Sequence, residues 1–372
     1  MKELLEKVRD EAARRGVQFM DVRAAEKDST TVRVQDGKAD KVSQGRGRSA
    51  GVRVLAEGAW GFASTDMVNE SSLADSLEAA LNMAIVSRER VLDPGAVVKL
   101  GAVFDTVHAE VEKDPRSVSL EEKMDRVIAY EKAGVARGEG KLCNTQVGYG
   151  DSWAREMVCN TAGTFVEQET IRTSIATMMT AADGDIRQAA TERFTEQAGM
   201  ELLDRIGAEE LTEKAAARAV ALLSAKRAPS GKFPVILHPS ITGLLTHEAL
   251  GHNAEADHVF NGSSIIEGKI GQQIASPLVS IYDDGTIPKL NGSYRYDSEG
   301  TPSQKRTIIE QGVLRGCLHS LETAARFGVA PNGSARAASP HHLPIIRMSN
   351  TYILPAARES SATPRSATAT RG

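Results

Sequence analysis

Thr246-His247-Glu248-Ala249-Leu250-Gly251-His252 is the stretch from which the rest of the chain can be read. It has the form HExxxH. Two imidazoles can each offer a neutral nitrogen to a divalent metal, and the glutamate between them can accept and return a proton. The familiar zinc-peptidase pattern is HExxH, in which histidines four apart share one face of a helix. Here they are five apart. On an ideal α-helix five steps carry the second side chain about 140° past a full turn, so the rings diverge. A π-bulge adds one residue to a turn and would realign them, and such bulges are frequent at functional sites. Gly251 tolerates irregular backbone, which favours a distortion there. The same spacing also arises by chance on a plain helix surface, so the motif alone leaves metal binding open.

Outward from this stretch, the 372 residues are enough for two domains. Hydrophobic residues at 41% and charged ones at 25% are the proportions of a soluble globular protein. Aromatics are only 4%, so the core must rest on Val, Leu, Ile, Ala and Met. A formal net charge of -4 argues against a nucleic-acid-binding chain. Cys143, Cys159 and Cys317 are an odd number without a CxxC pair, so no disulfide framework is expected and a reducing compartment fits. The charged N-terminus lacks the apolar segment of a signal peptide, and no run approaches the ~20 apolar residues that span a bilayer. The expectation is a cytoplasmic protein with no membrane partner.

Before the motif, apolar spacing predicts helices over Lys2 to Arg15, Ser71 to Ser87 and, opened by a Ser119/Glu122 capping box, Ser119 to about Gly134. Between them lie strands, with Asp36-Gly37 and Glu57-Gly58 as hairpin turns. Trp60 and Phe62 share a strand face and are expected in the core. The stretch 145–194 reads as strands turning near Gly150, Ala162-Gly163 and Asp183-Gly184, with Cys143 and Cys159 as small buried hydrophobes. A helix over 208–226 ends in a Pro/Ser/Gly break at Ala228 to Lys232. Phe233 to Leu237 reads as a buried strand, and Ser240 as the cap of the metal helix. Beyond it come short strands divided by turns such as Gln311-Gly312. The fold class expected is α+β: a sheet-and-helix domain over 1–228, a mostly β domain over 229–355 carrying the metal helix, and a disordered Ser/Ala/Thr/Arg tail over 356–372.

Three blocks carry a resemblance to a known family. They are PVILHPSITGLLTHEALGHNAEADHVFNGSS (234–264), IGQQIASPLVSIYDDGTIPKLNGSYRYDSEGTPSQKRTIIEQGVLRGCLHSLETAARFG (270–328) and NGSARAASPHHLPIIRMSNTYI (332–353). They resemble the TldD/PmbA peptidases, whose HExxxH helix binds zinc. The intact motif is similar to the TldD-type subunit, since the PmbA-type partner generally lacks it. The resemblance implies that His247 and His252 are zinc ligands and Glu248 the general base of a metallopeptidase cleaving unfolded or extended peptides. It also implies a homodimer, or a heterodimer with a PmbA-like subunit.

In the family an acidic, glycine-containing segment lies near the substrate channel. YRYDSEGTP is similar to it, making Asp297 and Glu299 substrate-binding candidates, with a tight acidic turn as the alternative. The family's chain continues into further strands and a zinc-binding cysteine. Neither is recognisable here, and Cys317 does not match that position. A catalytically impaired or non-catalytic member is therefore the alternative function, and a gyrase modulator gains nothing from the acidic balance. Asp257 and His258 could orient an imidazole from outside the ligand set. So could Glu255, although a solvated helix end is the simpler expectation for it. His319, His341 and His342 are expected at the surface or in loops, and His108 and His238 lack any metal spacing.

Overall fold

In the computed structural model the described residues are 1–99 and 101–355. Strands β1 (Phe19–Gln35) and β2 (Lys38–Ala56) pair antiparallel along nearly their whole length. Asp36 and Gly37 join them with φ of 49° and 74°, the left-handed pair that a two-residue hairpin turn requires. After a second such turn at Glu57-Gly58, β3 (Ala59–Thr65) pairs with β2. Together with β4 (Phe104–Val107), β5 (Leu142–Asn160), β6 (Phe165–Asp183) and β7 (Ile186–Glu196), they form one seven-stranded sheet. Its order is β3-β2-β1-β5-β6-β4, with β7 also on β6. The turn expected near Gly150 is not there. β5 runs straight through it, pairing Gly150 with Thr31 and Ser174, because strands on both sides satisfy its backbone. Cys159 is buried but Cys143 is exposed, at the register irregularity that opens β5.

Alternation along the strands gives the sheet two faces. Met20, Val22, Val52, Val54 and Cys159 point to one face, under α1 (Lys2–Arg14) and α2 (Glu70–Ser87). Further along that face, Val32, Val34, Val147, Tyr149 and Ile175 lie under α3 (Leu120–Arg137), α4 (Glu201–Arg205) and α5 (Lys214–Leu222). Each fully buried leucine, such as Leu5 or Leu73, contributes about 1.5–3 kcal/mol relative to exposure. Asn69 and Ser119 cap α2 and α3 by accepting from Ser72 and Glu122 N–H groups. Helix α3 continues past Gly134, where a Cβ would meet the Met179 methyl at 2.6 Å.

Trp60 and Phe62 lie on the other face of the sheet, where Trp60 packs against a separate apolar cluster of Phe19, Leu55 and Leu321. Gly61 between them lies against α2, where a Cβ would sit 1.9 Å from the Ala80 carbonyl oxygen. Its neighbours must therefore face the other way, where both are only half-buried. Trp60 lies 4.6 Å from the Arg53 guanidinium, and Phe62 lies 5.9 Å from that of Arg23. That opposite face of the sheet is covered by the C-terminal region, with Val158 and Val166 packed against Tyr296.

The C-terminal region opens with α6 (Pro239–Thr246) and α7 (Ala256–Phe260), which flank the HExxxH stretch. Four short strands follow, β8 (Ile281–Asp284), β9 (Lys305–Glu310), β10 (Val313–Leu314) and β13 (Thr351–Ile353), in the order β10-β9-β8-β13. Leu250, Ala254, Val259, Ile281, Ile308 and Leu314 make its core. An unforeseen helix α8 (Leu321–Phe327) has a full capping box at Ser320 and a left-handed Gly328 at its end. A two-stranded ribbon of β11 (Ala335–Arg336) and β12 (Ile345–Ile346) completes an α+β fold.

Phe233 to Leu237 is not a buried strand. It is exposed and, among the described residues, pairs with no other strand; an apolar run becomes a strand only where a neighbour accepts its hydrogen bonds. The tail expected to be disordered, 356–372, lies outside the described residues. No helix among the described residues is long and apolar enough to cross a membrane.

Candidate metal centre

His238, not Ser240, is the residue before the first turn of α6. Its Nδ1 accepts from the Ser240 N–H at 3.3 Å, and Pro239 takes the first helical position. The helix then widens, and His247–Gly251 is a π-helical turn. The extra residue that separates HExxxH from HExxH is absorbed there. The two imidazole rings come to 4.9 Å between centroids, at 78° to one another. Glu248 Oε2 stands 4.0 Å from His252 Nε2. One donor atom each from His247, Glu248 and His252 fit within 4.8 Å of one another.

The cause of the turn is partly tertiary. Gly251 is buried against Met348, and a Cβ on it would lie 1.9 Å from the Met348 sulfur. The chain then tightens into a 3₁₀ turn, His252–Ala254. It is stitched to the strand-like segment at Leu318 by Leu318 N–H to Ala254 O at 2.7 Å and Ala256 N–H to Leu318 O at 3.0 Å. Leu250 and Ala254 anchor the same turn in the apolar core.

Burial, then the neighbouring His252, holds the His247 pKa below the ordinary imidazole value, which favours a neutral donor. Glu248 is the exposed member of the group. Two imidazoles and a carboxylate converging in a partly open site suit a divalent cation such as zinc. Among the described residues no third histidine or thiolate joins them. Cys317 packs among apolar neighbours instead of joining the group, and burial pushes its thiol up to about 11.

Glu255 is not a solvated helix end. It is 1% exposed, with Oε2 at 3.3 Å from His252 Nδ1 and 3.6 Å from His258 Nε2. Burial raises its pKa, opposed by His252. Asp257 and His258 sit with it as a second group of donors beside the first.

Asp297 and Glu299 are each 2% exposed. Asp297 accepts from the backbone N–H groups of Glu299, Thr301 and Ala335 at 2.9–3.0 Å, the pattern of a tight acidic turn. Burial, then the Glu299 charge, pushes its pKa up to about 8 against those donors. Glu299 accepts from Arg53 at 2.9 Å and from the Leu321 N–H at 2.7 Å. Arg53 in turn donates to Asp21. Burial alone would lower the Arg53 pKa, but the Asp21 and Glu299 carboxylates more than offset it and hold it above the usual guanidinium value. This buried bridge joins the two halves of the chain and has no signature in either segment read alone.

The remaining histidines lie apart from the metal group. His319 is buried rather than at the surface, ringed by Thr323 and Phe327, and burial lowers its pKa to about 4. His341 bonds Ser64 and Asp66, His342 bonds Ser339, and His108 lies 3.3 Å from Glu169.

With this geometry in hand, comparisons with known proteins place the sequence. Residues 20–84, 113–223 and 230–367 match, respectively, domain 1, the central domain and the C-terminal domain of the PmbA/TldA metallopeptidases. The first two segments contribute strands to a single sheet. A protein of Methanothermobacter thermautotrophicus named metalloprotease is 37% identical over 340 residues, covering 91% of this chain and 72% of the relative. A Saccharolobus solfataricus protein named zinc metalloprotease TldD homolog is 27% identical, covering 91% and 73%. A solved structure from Thermotoga maritima, a protein put forward as a modulator of a DNA gyrase, superposes with a TM-score of 0.80 at 26% identity. It covers 95% of this chain and 77% of its own.

Proposed function

This chain belongs to the PmbA/TldD family of metallopeptidases, and we propose that it hydrolyses peptide bonds of extended or unfolded substrates at a zinc held by His247 and His252. The observation that carries the proposal is the π-helical turn, which brings histidines five apart to 4.9 Å and sets a glutamate beside them. Zinc in such a site supplies a Lewis acid that makes water nucleophilic near neutral pH and polarises a peptide carbonyl. Glu248, exposed at the mouth of the group, accepts a proton from water and returns it to the departing amine. Partial burial of His247 disfavours its charged form, which keeps a ring lone pair available. Assembly with a second copy or a PmbA-like subunit belongs to the same proposal and is measured by sedimentation.

The test separates metal binding from proton transfer. Glu248→Gln should retain zinc and lose hydrolysis by on the order of 10²–10⁴-fold, since an amide cannot take the proton. His247→Ala should lose both. Turnover by Glu248→Gln at the wild-type rate would remove Glu248 from the role.

One observation favours a second reading. Catalytic zinc usually has three protein ligands, and the described residues bring only two imidazoles and the exposed Glu248 carboxylate together. A non-catalytic member of the family would fit that donor set. Purified protein holding far less than one zinc per chain, with no hydrolysis of unfolded protein, is the result this reading requires.

A further inference from the structure

We propose that Glu255 is a positioning residue that fixes His252 as its Nδ1–H tautomer and so presents Nε2 to the metal. The inference rests on the metal-centre reading above but makes a separate claim about this chain. His252 has two distinct ring nitrogens, and the structure turns them in opposite directions. Nε2 faces Glu248, 4.0 Å away, on the side of the His247 ring. Nδ1 faces Glu255 Oε2 at 3.3 Å. In its ionised form Glu255 only accepts, so a hydrogen bond there places the proton on Nδ1 and leaves the Nε2 lone pair free to ligate.

Glu255 is built to hold that position. Its side chain is 2% exposed, and its backbone is fixed by the parallel bridge to Leu318 and the flanking hydrogen bonds of Ala256 and Leu318. Burying a carboxylate is unfavourable unless it is paired. Here Oε2 lies between two imidazoles, His252 and His258, while Oε1 is buried without a hydrogen bond, 3.8 Å from the Arg347 guanidinium. Carboxylates that hold a ligating histidine in this way raise its basicity and restrict its rotation.

The test begins with the metal-free protein, using ¹⁵N side-chain spectra of the full chain taken above the imidazole titration, with His252→Gln to assign the signals. Wild type should show His252 as Nδ1–H, and Glu255→Ala should move it toward Nε2–H. Zinc affinity, measured by competition with a chelator, should fall about 10–100-fold in Glu255→Ala while far-UV circular dichroism is unchanged. Glu255→Gln, whose amide oxygen still accepts, should recover most of that loss. An Nε2–H tautomer in the wild type overturns the proposal, as does Glu255→Ala with unaltered tautomer and affinity. Should Glu255→Ala fail to fold, the wild-type tautomer and Glu255→Gln decide the matter. Should wild type take up no zinc, the metal reading fails, and the tautomer still decides the role of Glu255.

Discussion

Arg53, on a strand of the N-terminal sheet, donates to Glu299 of the C-terminal region at 2.9 Å, with both side chains buried and 246 positions apart. The same guanidinium bonds Asp21 and lies over Trp60. Removing it takes the shared cation from two buried carboxylates, leaving Asp21 with Arg23 at 3.3 Å and Glu299 with the Leu321 N–H. Arg53→Met should therefore cost about 3–5 kcal/mol, and Arg53→Lys should fall between, because an ammonium cannot serve both acids with a planar fork. Urea denaturation measures both, and a loss under about 1 kcal/mol for Arg53→Met would show that the bridge does not hold the halves together.

Gly251 and Met348 share one space. A methyl at 251 would press 1.9 Å from the Met348 sulfur, so Gly251→Ala should lose about 1–3 kcal/mol by overpacking. Trimming the neighbour in Gly251→Ala/Met348→Val should relieve the clash. The pair should then be more stable than the two single losses predict, by at least about 0.5 kcal/mol. Strict additivity in thermal or urea melts would mean that Met348 is not what excludes a side chain at 251.

The HExxxH turn is held by Leu250 and Ala254 in the apolar core and by hydrogen bonds to Leu318. These contacts are made by protein atoms alone, so the turn should keep its shape without a metal. Chelation is expected to abolish hydrolysis and leave far-UV circular dichroism nearly unchanged. Cooperative unfolding on chelation would instead group the site with zinc fingers, whose fold needs the ion.

His319 makes stability depend on pH. Its folded-state pKa is depressed from 6.5 to about 4 by burial, so between those values the unfolded chain binds the extra proton. Its contribution is complete above pH 6.5, shrinks as pH falls, and is gone below about 4. The size is up to about 3 kcal/mol. Asp297 acts in the opposite sense: its raised pKa adds stability that is present at low pH and lost as pH rises toward about 8. The comparison that isolates His319 is therefore wild type against His319→Gln, by urea titration at pH 7 and pH 4.5. The wild type should lose more on acidification, and equal losses would contradict the assignment.

What the sequence determined by itself is local. Left-handed pairs at Asp36-Gly37 and Glu57-Gly58, caps at Ser119, and apolar spacing in the helices act within a few residues, so hairpins and helices were legible. So was the need for one extra residue in the turn between His247 and His252, because helix geometry sets it. Tertiary structure decided what depends on distant partners. Gly150 reads as a turn until strands on both sides satisfy it, and Phe233–Leu237 reads as a strand although no neighbour pairs with it among the described residues. Trp60 faces away from the helices because of the approach of Ala80 to Gly61, and Glu255 is drawn inside because Leu318 fixes its backbone. Burial and pairing are relations between segments far apart in the chain, and only the packed fold brings those segments together.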